Sequence, residues 1–116
     1  MSKSGNLLAG LPDHPLTEEQ FDTLLEHGPV SIERIVSTGQ TAPDTGWFDQ
    51  QQDEWVCVID GVARIEIDGK GETLLERGDW LMLPAHCRHR VVFTQTAPPT
   101  VWLAVHMYPA GKQRPV

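Results

Sequence analysis

Apolar and polar residues alternate along most of the chain after residue 30, as in β-strands that bury one face. The alternation is clearest where Ala63, Ile65 and Ile67 are separated by charged residues. Similar runs predict seven or eight short strands, among them 30–36, 53–59, 62–67, 72–75, 80–83, 88–94 and 101–108.

Tight turns are predicted between several of these runs. Asp60-Gly61 and Asp68-Gly69 each separate two β-rich segments, and Gly78-Asp79 precedes another. Asp-Gly is a strong hairpin signal because glycine adopts the positive φ that a two-residue turn requires. Closely spaced antiparallel strands are typical of a sandwich or barrel. The sequence shows no alternation of strands and helices, which excludes a parallel nucleotide-binding sheet. The sequence therefore predicts an all-β fold.

The residues before the strands predict an irregular arm and one short helix. Thr17 and Gln20 have the spacing of a helix capping box. Phe21, Leu24 and Leu25 then follow helical spacing, and Gly28-Pro29 ends the run, which predicts a helix at 18–27. The expected organisation is an arm with a helix at 1–29, a barrel at 30–110 and a C-terminal tail at 111–116.

Composition restricts the partners of this small domain. Its 116 residues are 40% hydrophobic and carry a net charge of −7. No apolar run approaches the roughly 20 residues of a membrane span, and an acidic chain without a basic block argues against a nucleic-acid partner. The first residues lack an apolar signal sequence, so we expect a cytoplasmic protein in which Cys57 and Cys87 are free thiols.

One carboxylate occupies an unexpected position. Glu54 shares a face of its strand with Val56 and Val58, so alternation directs it into the core. A buried carboxylate requires a counter-charge, hydrogen bonds or a metal ion. An ion pair with Arg34 or Arg64 is the structural alternative to a functional site.

Motifs around Glu54 and downstream resemble those of the cupin family. Glu54 is followed after six residues by Gly61, as in the first cupin motif. Gly78, Pro84 and His89 have the spacing of the second motif. The resemblance covers about residues 30–108 and implies an antiparallel double-stranded β-helix, the jelly-roll cupin barrel.

The chain departs from the first motif at its two histidines. With a four-residue spacer before Glu54, these positions fall on Trp47 and Asp49; with a three-residue spacer, they fall on Phe48 and Gln50. Neither alignment retains a histidine.

The resemblance implies one divalent metal ion inside the barrel. Glu54 and His89 match family ligand positions, Asp49 is a chemically reasonable substitute, and His106 on the last strand is a possible fourth ligand. The implied ion is Zn, Mn, Fe or Ni. A turn-capping role for Asp49 and a core position for His106 are the alternatives.

Further residues are expected around the pocket, and a second copy of the chain is the expected partner. The predicted pocket residues are Trp47, Gln51, Arg34 and His86. Four tryptophans and strands that are apolar on both faces favour a homodimer.

Two functions are compatible with these features. The first is a metal-dependent isomerase, lyase or oxygenase that binds a small oxygen-rich molecule. The second is a metal-free module that binds a small molecule without catalysis.

Overall fold

The computed structural model describes residues 2–110, which form eight antiparallel β-strands. The strands are β1 (Gln20–His27), β2 (Val30–Ser37), β3 (Asp53–Asp60), β4 (Ala63–Ile67), β5 (Gly71–Leu75), β6 (Trp80–Leu83), β7 (His89–Thr94) and β8 (Thr100–Met107). No helix in residues 2–110 is long and apolar enough to cross a membrane. The predicted tail at 111–116 lies outside the described residues.

The strands form two sheets that face each other as a jelly-roll barrel, which confirms the predicted all-β fold. One sheet has the order β1-β2-β8-β3-β6 and the other has the order β5-β4-β7. Apolar side chains on the inner faces form the core: Val56, Val58, Ala63, Ile65, Leu75, Leu83, Trp102 and Ala104.

The turn between β3 and β4 shows why glycine follows aspartate there. Gly61 has a φ of 79°. A Cβ at this position would lie 2.8 Å from the carbonyl oxygen of Pro99. Both the backbone conformation and the close approach therefore favour glycine.

The predicted helix at 18–27 is wrong, because residues 20–27 of this segment form β1. This strand pairs with β2, and its register shifts between Thr23 and Leu25. The irregularity places Phe21 opposite Ile35 and Leu25 opposite Ile32, so the apolar spacing imitates a helix. Pairing with β1 also supplies hydrogen-bond partners to an edge of β2 that would otherwise lack them.

Arg34 fastens the N-terminal arm to the barrel. It is buried, and its Nε and one terminal nitrogen donate to Oδ2 of Asp22 at 3.0 and 2.7 Å. Its other terminal nitrogen donates to the carbonyls of Leu7 and Ala9 at 3.1 and 2.6 Å. These hydrogen bonds hold the pKa of Asp22 below its ordinary value. Arg34, predicted as a pocket residue, instead joins arm and sheet.

The outer face of the five-stranded sheet carries a row of apolar side chains. Leu25 pairs with Ile32, which in turn pairs with Val105 on β8. Trp55 is the partner of Val105 on β3 and of Met82 on β6. This row, which we call the outer apolar row, crosses all five strands of the sheet. Leu25 and Met82, at the two ends of the row, are 49% and 37% exposed.

We propose that the outer apolar row contacts the same row of a second copy in a homodimer. A two-fold axis would bring identical apolar rows together. The neighbouring Asp22 and Arg34 form an ion pair, so neither brings an unpaired charge to this contact.

The dimer prediction is tested by comparing two leucines with similar exposure. Leu25, in the row, is 49% exposed, and Leu74, on β5 of the other sheet, is 43% exposed. In light scattering, we expect twice the mass of one chain for wild type and Leu74→Lys, and a shift towards monomer for Leu25→Lys, because a buried lysine lacks a partner. A monomeric wild type would contradict the proposal.

Candidate functional site

A cavity of about 200 Å³ lies between the two sheets. One part of its wall is apolar and the other carries carboxylates and imidazoles. The lining residues are Glu19, Phe21, Glu33, Ile35, Ala42, Phe48, Gln50, Glu54, Val56, Ile65, Leu83, His89, Val91, Trp102 and His106. Such a combination is typical of sites for small organic molecules.

Strand register brings the polar residues together. Glu54 on β3 lies opposite His106 on β8. Glu33 on β2 lies opposite Ala104, two residues from His106 on the same face. Three neighbouring strands of one sheet therefore place two carboxylates beside one imidazole.

His106 is shared between these carboxylates. Its Nε2–H donates to Oε1 of Glu33 at 3.0 Å, and the same nitrogen lies 3.9 Å from Oε2 of Glu54. The side-chain nitrogen of Gln52 lies 3.3 Å from the other ring nitrogen. Burial alone would lower the pKa of His106, but the hydrogen bond to Glu33 and the charge of Glu54 outweigh burial and raise it.

Glu54 is the most deeply buried carboxyl group of the cluster. Only 7% of the residue is exposed. Burial raises the pKa of Glu54; the nearby His106 and His89 and a hydrogen bond with Gln50 offset the effect in part, whereas the charge of Glu33 adds to it. The fold therefore disfavours the charged form of this group.

His89 presents one ring nitrogen to this site. The residue is 4% exposed, and its Nδ1–H donates to the carbonyl of Cys87 at 2.8 Å. When the ring is neutral, Nε2 is an acceptor. Phe48 flanks the imidazole, with ring centroids 5.5 Å apart.

A hydrogen-bonded chain holds Trp102 in the wall of the cavity. The indole Nε1–H donates to Oγ of Ser37 at 3.0 Å. That hydroxyl donates to the carboxylate of Glu19. The chain fixes the orientation of a large planar surface.

Three of the four predicted metal ligands line this cavity: Glu54, His89 and His106. Asp49 does not, because its Oδ1 accepts a hydrogen bond from Nδ1 of His86 at 2.7 Å and both side chains are largely exposed. Asp49 and the predicted pocket residue His86 therefore both lie outside the cavity.

Two other predicted pocket residues also lie elsewhere. Trp47 packs beneath Arg90, whose guanidinium carbon is 4.2 Å from the ring centroid. Gln51 is exposed. Their neighbours Phe48 and Gln50 line the cavity instead. The three-residue spacer is therefore the alignment of the first motif that matches the structure.

Motif matching did not identify Glu19 and Glu33, which line the cavity. Glu33 could have been found by alternation. It stands two residues before Ile35, which lines the cavity, and residues two apart on a strand share a face. Glu19 precedes β1 and offers no periodic signal.

The donor set does not fit a complete metal site. Among residues 2–110, no group of three or more His, Cys, Asp or Glu side chains is arranged to hold a metal ion. Protein metal sites with catalytic roles ordinarily use three such ligands. Here Nε2 of His106 is already hydrogen-bonded to Glu33, which leaves Glu54 and His89 as ligands.

Cys57 and Cys87 are free thiols, as predicted.

Removing the charge of Glu54 should stabilise the protein in chelator-containing buffer. Because the folded-state pKa is raised, wild-type stability falls as pH rises from the usual carboxyl value through the folded pKa. Glu54→Gln lacks this loss, so its melting temperature should exceed that of wild type at pH 8 and converge with it in acid.

Glu72→Gln, which changes an exposed carboxylate, should leave the pH profile nearly unchanged. A Glu54→Gln protein that melts below wild type at pH 8 would show that burial does not outweigh the histidine charges in setting the pKa of Glu54.

Comparison with known proteins agrees with this architecture. The family model described as "Cupin domain" matches residues 35–106. The chain is 49% identical to a protein from Ralstonia eutropha JMP134 named as a "putative mannose-6-phosphate isomerase", with a TM-score of 0.87, covering 93% of this chain and 100% of that one. No curated protein matches the chain.

More distant structures share the fold alone. A cupin superfamily protein from Desulfitobacterium hafniense DCB-2 is 19% identical, with a TM-score of 0.73 and coverage of 94% of both chains. A protein of unknown function from Streptococcus pyogenes is 20% identical, with a TM-score of 0.73, covering 96% of this chain and 91% of that one.

Proposed function

The chain belongs to the cupin family, and we propose that it binds a small oxygen-bearing molecule in the barrel cavity and isomerises it by proton transfer. Glu54 carries this proposal. It is a buried carboxyl group on the cavity wall, and burial raises its pKa. Buried groups with raised pKa values are common among the acids and bases of enzymes. The name of the Ralstonia protein supports an isomerase as the reaction class.

The proposed reaction exchanges one hydrogen between adjacent carbons. Glu54 removes a proton from the carbon beside a carbonyl, and the C–H electron pair forms a carbon–carbon double bond. The carbonyl oxygen takes the proton on Nε2 of His106, which exchanges its hydrogen bond to Glu33 for one to the substrate. Glu33 and Glu54 raise the pKa of this imidazole. In the second half, His106 recovers a proton from the hydroxyl on the carbon that was deprotonated. Glu54 then delivers its proton to the former carbonyl carbon.

The apolar wall supports this chemistry by excluding water. Phe48, Val91 and Trp102 line the cavity near the polar cluster, and Trp102 is held by Ser37. Electrostatic interactions with the substrate are stronger in such a medium than in water.

Sugars test the isomerase proposal directly. With chelator-treated protein in D₂O, mannose and mannose 6-phosphate are followed by NMR for conversion to the ketose and for deuterium incorporation. We expect exchange in at least one sugar, and a loss of about 100-fold or more in Glu54→Gln. Glu72→Gln should retain the activity. If neither sugar exchanges hydrogen, sugar isomerisation is contradicted and binding without catalysis becomes the better reading.

Divalent metal binding is the second candidate function, and the orientation of His89 favours it. A hydrogen bond from Nδ1–H to a backbone carbonyl leaves Nε2 as the ligating atom, an arrangement common among metal-binding histidines. Glu54 lines the same cavity. These two ligands alone would hold an ion weakly.

The metal proposal predicts a thermal shift. Adding Zn, Mn, Ni or Fe(II) to chelator-treated protein should raise the melting temperature, with stabilisation of about 2.7 kcal/mol at a hundredfold excess over Kd. Glu54→Gln and His89→Ala should lose most of this rise. His86→Ala is the matched control, because His86 lies outside the cavity. If wild type shows no shift with any ion, metal binding is contradicted.

A further inference from the structure

The ionisable side chains on the cavity wall are mostly acidic. Within residues 2–110, the lining contains three glutamates and two histidines, and no lysine or arginine. The acidic residues are Glu19, Glu33 and Glu54. A negatively charged ligand would therefore meet carboxylates without meeting an ammonium or guanidinium group on the described wall.

Nearby arginines are held by carboxylates elsewhere. Arg34 is bound to Asp22 on the outer face of its sheet. Arg90 is 2.8 Å from Glu66. Neither arginine lines the cavity, so an anion would not gain their charge without breaking these pairs.

The histidines do not reverse this balance. Nε2 of His106 is 3.0 Å from Glu33 and 3.9 Å from Glu54, so two carboxylates already share any positive charge on this ring. Nδ1–H of His89 is directed to a backbone carbonyl, so the neutral ring leaves an acceptor at Nε2. Most of the polar cavity atoms are therefore hydrogen-bond acceptors.

From this arrangement we infer that the cavity binds molecules with hydroxyl or ammonium donors and rejects phosphates and carboxylates. The inference rests on the proposed function, that a small molecule occupies the barrel. Donors satisfy the acceptor-rich end, whereas an added negative charge lies near several carboxylates in a poorly solvated space, where like-charge repulsion is strong.

A matched set of small aromatic ligands separates charge from shape. Benzyl alcohol, benzylammonium, benzoate and phenyl phosphate share a ring that suits the surfaces of Phe48 and Trp102. Their affinities are measured with wild-type protein by NMR titration at pH 7.5, in chelator so that metal ions do not contribute. We expect benzyl alcohol and benzylammonium to bind at least about tenfold more tightly than benzoate and phenyl phosphate.

The variant Glu33→Gln assigns the discrimination to the cavity. It removes one carboxylate, so the difference in affinity between benzyl alcohol and benzoate should shrink. Glu66→Gln is the control, because Glu66 pairs with Arg90 away from the cavity and its change should leave the difference intact. If a variant fails to fold, the affinities of the wild-type protein for the four ligands still test selection by charge.

The possible outcomes separate this inference from the proposed function. If benzoate or phenyl phosphate binds as tightly as benzyl alcohol, selection by charge is overturned while small-molecule binding is upheld. If none of the four ligands perturbs the resonances of cavity residues, selection by charge is overturned, and hydrogen exchange in the sugars alone decides the proposed function.

Discussion

The site depends on burying one carboxyl group, that of Glu54, in a barrel that provides no lysine or arginine to its described cavity. The alternation of β3 directs this side chain inwards between apolar neighbours. Nearby polar groups must then form hydrogen bonds or ion pairs with Glu54, because a buried carboxyl group without partners destabilises the folded state. Gln50 supplies a hydrogen bond, and His106 lies within ion-pair distance on the adjacent strand. His106 is in turn hydrogen-bonded to Glu33, so the local network extends across three strands.

Much of the fold could be predicted from the sequence, because strand alternation and turn chemistry are local properties. Residues from Val30 onwards alternate with period two, and the glycine at the β3–β4 turn has the positive φ that the Asp-Gly pattern predicted. The helix prediction failed for a local reason as well. A register shift in β1 interrupts alternation near Leu24, and three apolar residues are too few to separate helix from strand.

The candidate site was only partly predictable for a different physical reason. Glu54, His89 and His106 lie on regular strands, where alternation determines the face that a side chain occupies. The segment between β2 and β3 has no such periodicity. Its register is set by isolated bridges, including Phe48 to His89, whose two backbone hydrogen bonds measure 2.8 and 3.2 Å. These long-range contacts decide that Phe48 and Gln50 line the cavity, while Trp47 and Asp49 do not.

Family membership and ligand chemistry are carried by different parts of the molecule. Glycine turns and an apolar core specify the barrel, and more distant structures retain that barrel at about one-fifth sequence identity. The wall of the cavity carries a few polar side chains, among them Glu33, Glu54, His89 and His106. There, the raised pKa of Glu54 means that the folded state gives up stability when this group ionises. A ligand that donates a hydrogen bond to Glu54 would favour the charged form of this carboxyl group. Ligand binding would then stabilise the fold at the same point where the buried carboxyl group weakens it.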